Sequence, residues 1–91
     1  MLPVVWLDSA VDDLTIIIAF IAERNPVAAA KLSNQLIDDA ERLGFMPSIY
    51  RLGRVAGTHE IVSHPNYIIV YRNTLVAAEI LAVLHSRQQY P

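Results

Sequence analysis

The spacing of apolar residues changes near Tyr50, and this change constrains the fold more than any other feature of the chain. In residues 9–44 apolar side chains recur every three or four positions, as on one face of a helix. In residues 58–86 they alternate or run together, as in half-buried and buried strands. A chain that forms helices first and strands afterwards is predicted to belong to the α+β class.

Local signals predict where the two helices begin and end. Ser9 followed by Asp12 has the spacing of a capping box, in which each side chain satisfies an unpaired backbone N–H, so we expect the first helix to begin there. Asn25 and Pro26 end that helix and begin the second one, because Asn caps well and Pro fits the first helical position. Gly44 is predicted to end the second helix. So short a link predicts an antiparallel hairpin.

Each helix carries an apolar stripe that is predicted to face the core. The stripe of the first helix comprises Val11, Leu14, Ile18 and Ile21. The stripe of the second comprises Leu32, Leu36, Ala40 and Leu43.

The first helix has further apolar residues outside that stripe, at Ile16, Ile17 and Phe20. Either the helix is packed centrally, or this second stripe docks another chain. Charged residues make up only 18% of the sequence and the mean hydropathy is +0.35, which is apolar for a free-standing monomer. We therefore expect a partner to cover part of the apolar surface.

Four strands are predicted around the helices. Residues 4–7 read as a short buried strand, and residues 58–63, 67–72 and 76–86 as an antiparallel meander. Gly53 and Gly57 bracket a tight bend before the meander. The predicted order is strand-helix-helix-strand-strand-strand in one α+β domain over residues 1–91, with the helical hairpin packed on a mainly antiparallel sheet.

Composition excludes several classes of function. A net charge of −2 argues against binding to a nucleic-acid backbone, so no direct DNA binding is expected. The chain has no Cys, and its three His lack the spacing of metal ligands, so we expect neither a metal nor a cofactor. The longest apolar run, residues 16–22, is too short to span a membrane. Without a signal-peptide pattern at the N-terminus, a cytoplasmic protein is expected.

Residues suited to acid–base chemistry are concentrated in the strand half of the chain. Cleavage of a phosphodiester without metal needs a base, an acid and cations near the phosphate, which His, Tyr and Arg can supply. Each residue also has an ordinary structural interpretation, such as His85 hydrogen-bonding at a strand end. The pattern therefore permits chemistry without requiring it. The residues concerned are Arg51, Arg54, His59, Tyr67, Tyr71, Arg72, His85, Arg87 and Tyr90.

Three sequence blocks, in this order, resemble the ParE/RelE toxin superfamily. They are Arg54-x-x-Gly57-Thr58-x-Glu60, Pro65-Asn66-Tyr67 continuing to Tyr71-Arg72, and His85-x-Arg87 continuing to Tyr90-Pro91. With the helix pair before them, the resemblance covers essentially the whole chain. It implies the toxin of a bacterial type II toxin–antitoxin pair, often plasmid-associated, which a cognate antitoxin holds inactive in a hetero-oligomer.

Within this superfamily the RelE branch cuts messenger RNA on the ribosome, whereas the ParE branch is associated with poisoning DNA gyrase. The nuclease branch carries a basic residue directly after the tyrosine that matches Tyr67, where this chain has Ile68. The only lysine of this chain, Lys31, is on a predicted helix. The resemblance therefore favours a ParE-like gyrase inhibitor that is not an enzyme and has no catalytic residues. The alternative is a RelE-like, ribosome-dependent mRNA endonuclease. Its catalytic residues would be His85, Arg87, Arg54 and Tyr67.

The antitoxin is predicted to meet two kinds of residue. Ile16, Ile17 and Phe20 would anchor an amphipathic antitoxin helix, and an extended segment could add a strand to the sheet edge. The basic side chains would meet acidic antitoxin residues. They are Arg54, Arg72 and Arg87.

Overall fold

The computed structural model describes residues 2–46 and 50–88, which form two helices, a short 3₁₀ turn and five strands. In chain order these are β1 (Val4–Trp6), α1 (Asp8–Ala22), α2 (Pro26–Glu41), the 3₁₀ turn (Arg42–Gly44), β2 (Arg51–Leu52), β3 (His59–His64), β4 (Tyr67–Asn73) and β5 (Ala78–His85). The predicted α+β class and the predicted order are confirmed, with β2 as an addition. β2 was not predicted, because it is two exposed residues long and has no alternating pattern.

The strands form one sheet in the order β1-β5-β4-β3-β2. β2 to β5 pair antiparallel to their neighbours, and β1 pairs parallel to β5 from Val4 opposite Ala78 to Trp6 opposite Ile80. The prediction of a buried first strand was wrong: β1 lies at the edge of the sheet and Val5 is exposed. Two strand pairs are also irregular, since β5 accommodates Leu81 as an extra residue opposite β4, and β3 accommodates Ser63 as an extra residue opposite β4.

The helical hairpin covers one face of the sheet. The predicted stripe of α2 is confirmed, since Leu32, Leu36, Ala40 and Leu43 are all buried. They pack against sheet residues that have almost no exposed surface, such as Ile69 and Ile80. A smaller cluster lies apart from this core and is formed by Ile68, Val70 and Leu84. No helix in residues 2–46 and 50–88 has the length and apolar character that crossing a membrane requires.

The start of α1 differs from the predicted capping box. The helix begins at Asp8, Leu7 occupies the N-cap position, and no side chain caps it. The Ser9 Oγ instead donates a hydrogen bond to the Leu81 carbonyl oxygen of β5, at 2.7 Å. The prediction failed because it weighed only local partners, whereas the Leu81 carbonyl of the sheet competes for the same hydroxyl.

Asp13 also bonds to β5 from α1. Its Oδ2 accepts a hydrogen bond from the Val83 backbone N–H at 3.0 Å. The last backbone bond between the N-terminal segment and β5 runs from Leu7 N to Ile80 O, at 3.0 Å. Beyond that point, backbone groups at this edge of β5 form hydrogen bonds with side chains of α1 rather than with a neighbouring strand.

These contacts rotate α1 relative to the predicted stripe. Leu14, Ile18 and Ile21 pack against the core as predicted, but Val11 is 45% exposed. Ala10 is fully buried in its place, and Ile17 also packs against the core. A small side chain is needed at residue 10 because the helix lies close to the sheet there.

The helix ends follow the sequence only in part. The Asn25 side chain accepts a hydrogen bond from Ala28 N at 3.0 Å, which confirms the predicted cap. The prediction for Gly44 was wrong: α2 ends at Glu41, and a 3₁₀ turn continues to a buried Gly44. The predicted bend before β3 is confirmed, with Gly57 at a φ of 83°. Gly53 N closes it by donating to Thr58 O at 2.8 Å.

Tyr71 is the largest fully buried side chain of the core. Its ring stacks on His59 with 5.4 Å between centroids and meets Tyr50 edge-on at 6.2 Å. Burial raises the pKa of Tyr71 from 10.0 to about 12, and the nearby Tyr50 adds to this. Tyr71 therefore stays neutral at physiological pH, and its ring packs in the core.

We expect Asp13→Ala to lower the free energy of unfolding by roughly 1.5 kcal/mol, because it removes the acceptor for the Val83 amide. Asp12→Ala is the matched control, since Asp12 is an exposed neighbour on the same helix, and should cost less than about 0.5 kcal/mol. Urea denaturation measures both. Equal losses in the two variants would show that only the helix N-terminal charge matters.

We expect alkaline pH to destabilise the protein through Tyr71. Because its pKa is raised in the fold, its contribution is fully present below the unfolded pKa of about 10 and is lost as pH rises through about 12. Tyr71→Phe cannot ionise, so its stability should fall less than that of the wild type between pH 10 and 12. Urea denaturation across this range tests the difference, and identical slopes would contradict it.

Candidate functional site

The outer surface of α1 presents two large apolar side chains to solvent. Ile16 is 68% exposed and Phe20 is 52% exposed, and they lie one helical turn apart on the same side. The Arg24 guanidinium sits 4.4 Å from the centroid of the Phe20 ring, in a cation–π contact. We call Ile16 and Phe20 the α1 apolar face. Ile17, predicted to share this role, is partly buried and also packs against the core.

Two shallow grooves flank the α1 apolar face. One, of about 200 Å³, lies between α1 and β5. It is lined by Asp13, Ile16, Ile17, Val83 and Gln88. The other, of about 370 Å³, lies between the two helices. It is lined by Leu14, Thr15, Ile18, Ala19 and Ser33. The exposed ridge with a groove on either side is the kind of surface into which a partner helix or extended segment packs.

At the far end of β5, two imidazoles flank one tyrosine ring. His85 and His64 lie on the strands beside Tyr67, with ring centroids 5.4 Å and 5.9 Å from its own. We call these three residues the sheet-end cluster. Tyr67 is half-buried and packs against the core, so the sheet-end cluster is anchored to the core through the Tyr67 side chain.

Both imidazoles of the sheet-end cluster hold backbone turns. The Nδ1 of His64 accepts from Asn66 N at 3.0 Å, and the Nδ1 of His85 accepts from Arg87 N at 3.2 Å. A third bond, from Ser86 N to Asn66 O at 2.7 Å, joins the two turns. An imidazole that accepts at Nδ1 carries its proton on Nε2, so each ring presents a donor on its other side.

The structure brings together the four residues named for a nuclease. Tyr67 and His85 are in ring contact, and Arg87 follows His85 in the next turn. Arg54 reaches the same end, where its Nη1 donates to the Gln88 carbonyl oxygen at 3.2 Å. Tyr90 lies outside the described residues.

The remaining predicted site residue, Arg72, lies at the opposite end of the sheet. Its Nε is 2.6 Å from the Glu79 carboxylate, and both belong to the region where β4 ends and β5 begins. A second ion pair joins Arg51 to Glu60 at 2.9 Å. Both acidic residues of the sheet half are thus paired with arginines. The six predicted antitoxin-binding residues are therefore divided among α1, the β5 end and the β4–β5 region.

Sequence analysis missed a polar link between α2 and β3. The Ser63 hydroxyl donates to the Asp39 carboxylate, and the Gln35 side-chain amide donates to the Ser63 carbonyl. Asp39 also pairs with Arg42 at 2.8 Å. No local pattern marks such a contact, because its partners are 24 and 28 residues apart in sequence.

Within residues 2–46 and 50–88, no group of three or more His, Asp or Glu side chains is arranged to hold a metal ion. What the site offers is an apolar ridge on α1 and an imidazole–tyrosine–arginine end of the sheet. The first suits protein binding, and the second suits either hydrogen bonding to a partner or acid–base chemistry.

Comparison with known proteins agrees with this architecture. A family described as "ParE toxin of type II toxin-antitoxin system, parDE" matches residues 4–90. The chain is 36% identical over 87 residues to a Sinorhizobium fredii protein named "Putative toxin Y4kP", covering 94% of this chain and 90% of that protein. A solved structure titled "Chromosomal ParDE TA system from P. aeruginosa" has the same fold, with a TM-score of 0.85 at 18% identity over 93% of this chain and 96% of that one.

The family match spans almost the entire sequence, and the relative is 36% identical over 87 residues. Together with the helical hairpin on a five-stranded sheet, these matches establish that the chain belongs to the ParE toxin family of type II toxin–antitoxin systems.

Proposed function

We propose that this toxin is neutralised by a cognate antitoxin that covers the α1 apolar face, and that it acts in the cytoplasm by binding DNA gyrase rather than by cutting RNA. The observation that carries the first part is the exposure of Ile16 and Phe20. Neither side chain is needed to complete the core, so burying both in a complex gains free energy without disturbing the fold. The Pseudomonas structure of the same fold is itself titled as a ParDE system.

The proposal of a binding toxin rests on what surrounds Tyr67. Ile68 occupies the position at which the nuclease branch has a basic residue, and its side chain is buried in the smaller apolar cluster. Its side chain therefore cannot be replaced by a charged one without cost to the fold. Both imidazoles beside Tyr67 already use Nδ1 to hold turns, so each has one ring nitrogen left for chemistry. This arrangement favours a structural end of the sheet over a nuclease centre.

The three predicted arginines would contribute unequally to antitoxin binding. Arg87 is exposed, and of the three it stands closest in sequence to Gln88, which lines the groove beside the α1 apolar face. Arg54 reaches the same region through its bond to Gln88. Arg72 would have to exchange Glu79 for an antitoxin carboxylate, and such an exchange gains little. We therefore expect acidic antitoxin residues to lie near Arg54 and Arg87.

We expect Phe20→Asp to weaken antitoxin binding by about 100-fold or more, because it places a carboxylate at the centre of a dry contact. Isothermal titration calorimetry with the antitoxin encoded beside the toxin measures this loss. The thermal midpoint should stay close to that of the wild type, since Phe20 lies outside the core.

Leu75→Asp is the matched control for that experiment. Leu75 is 101% exposed and lies in the turn between β4 and β5, away from α1, so the same change of charge should leave antitoxin affinity unaltered. An unchanged affinity for Phe20→Asp, or equal losses in both variants, would reject the α1 apolar face as the docking site.

A supercoiling assay separates the two modes of toxicity. We expect the purified wild-type toxin to inhibit ATP-dependent supercoiling by gyrase, and to leave ribosome-bound messenger RNA intact over the same concentrations. His85→Ala should retain gyrase inhibition, because its imidazole holds a turn rather than reacting. Cleavage of ribosome-bound message that His85→Ala abolishes, with folding preserved, would instead establish the nuclease alternative.

A further inference from the structure

β5 extends beyond β1, and the way its outer edge is covered leaves a gap. Backbone pairing on this side ends at the bond from Leu7 N to Ile80 O. Farther along the strand, Gln88 pairs with the backbone of His85 at this edge. Its side-chain Oε1 accepts a hydrogen bond from His85 N at 3.4 Å, and its backbone N–H donates to His85 O at 2.9 Å. Between these two contacts, opposite Val83, lies the groove of about 200 Å³ described above, which we call the α1–β5 groove.

The polar atoms that face the α1–β5 groove include acceptors of hydrogen bonds. Asp13 uses Oδ2 for the Val83 amide, and a carboxylate has further acceptor capacity on its second oxygen. In a strand the N–H and C=O of one residue point to the same side, so the Val83 carbonyl is directed to the same edge as its N–H. Apolar walls complete the groove, in the side chains of Ile16 and Ile17.

The charged residues on the helical side of the α1–β5 groove are acidic, whereas Arg54 and Arg87 lie at its other end, beside Gln88. Asp8, Asp12 and Asp13 lie in the first two turns of α1, and the first basic residue of the whole chain is Arg24. A groove that combines apolar walls with a carboxylate and a carbonyl is complementary to a long side chain with an apolar stem and a cationic head.

We propose that the α1–β5 groove receives a Lys or Arg side chain of the antitoxin segment that covers the α1 apolar face. The stem lies along Ile16 and Ile17, and the cationic head binds the Asp13 carboxylate and the Val83 carbonyl. This inference rests on the proposed function, which it extends by naming the chemistry of the contact. Ile16 belongs to both the α1 apolar face and the groove, so one antitoxin segment can engage the two together.

An apolar antitoxin side chain fits the same groove less well. It would remove water from the Asp13 carboxylate without replacing the lost hydrogen bonds, which is costly for a charged group. An acidic side chain would add repulsion to that cost. A basic side chain is the one occupant that compensates the carboxylate and still uses the apolar walls.

Asp13→Asn tests the charge without removing the contact that holds α1, because the Asn side-chain oxygen can still accept from the Val83 amide. Asp12→Asn is the matched control, with the same loss of charge at an exposed neighbour that does not line the groove. Calorimetry with the antitoxin should show about 10- to 100-fold weaker binding for Asp13→Asn and less than about threefold for Asp12→Asn.

A second arm leaves the toxin unaltered. Each Lys and Arg of the antitoxin is replaced in turn by Met, which keeps the apolar stem and removes the charge. One such replacement should weaken antitoxin binding to the wild-type toxin by a factor similar to that for Asp13→Asn. The same replacement should not weaken binding to the Asp13→Asn toxin any further. Such a double-mutant cycle isolates the pair from effects on toxin folding.

The outcomes separate the inference from the proposed function. Tight binding of the wild type with equal affinities for Asp13→Asn and Asp12→Asn overturns the basic side chain and leaves the α1 docking face standing. Tight binding with no coupled Lys or Arg in the antitoxin does the same. A wild-type toxin that does not bind the adjacent protein at all refutes the proposed function, and the inference with it.

Discussion

The attachment of α1 to the outer edge of β5 determines how the rest of the molecule is presented. β1 is only three residues long, so a strand covers this edge of β5 only as far as Ile80. Ser9 and Asp13 continue the coverage with hydrogen bonds to Leu81 and Val83. Because two side chains one turn apart are fixed to the sheet, α1 cannot rotate freely about its axis.

This fixed rotation decides which apolar residues of α1 pack against the core and which remain exposed to solvent. Ala10 and Ile17 turn toward the sheet, whereas Ile16 and Phe20 face solvent. Under the proposed function, the antitoxin docks on a face whose exposure depends on the same two hydrogen bonds that hold the helix in place.

Charge is divided between the two layers of the fold. Residues 1–45, which form β1 and the helical hairpin, carry seven acidic and three basic residues, for a net charge of −4. Residues 46–91 carry two acidic and four basic residues, for a net charge of +2. Any partner that wraps around the toxin therefore meets an acidic helical layer and a basic sheet layer. Under the proposed function, one antitoxin has to provide side chains of both signs.

Much of the fold follows from the sequence because its signals are local. The Asn25 cap, the buried stripe from Leu32 to Leu43 and the bend at Gly57 each depend on neighbouring residues, and all were predictable. The exceptions arise where a distant partner overrides a local one. Ser9 has the spacing of a cap yet bonds to a carbonyl 72 residues away, and Val11, predicted to face the core, is exposed.

The candidate site was only partly accessible for the same reason. Exposure of Ile16 and Phe20 could be anticipated from an apolar stripe that is too wide for one core. The groove beside them could not, because it exists only where α1, β5 and Gln88 meet. The separation of Arg72 from Arg87 follows from the predicted antiparallel meander, whereas the contact of Arg54 with Gln88 joins residues 34 apart in sequence and could not be predicted from local spacing.

Methyl NMR of the isoleucine-labelled toxin with increasing amounts of antitoxin tests most directly whether the antitoxin docks on α1. Ile16 and Ile37 are both exposed, on α1 and α2 respectively, so each reports on one helix. The account predicts that the Ile16 methyl resonance shifts strongly on saturation whereas that of Ile37 stays close to its free position. A bound state in which the Ile37 methyl resonance shifts and the Ile16 methyl resonance keeps its position in the free toxin would contradict this placement.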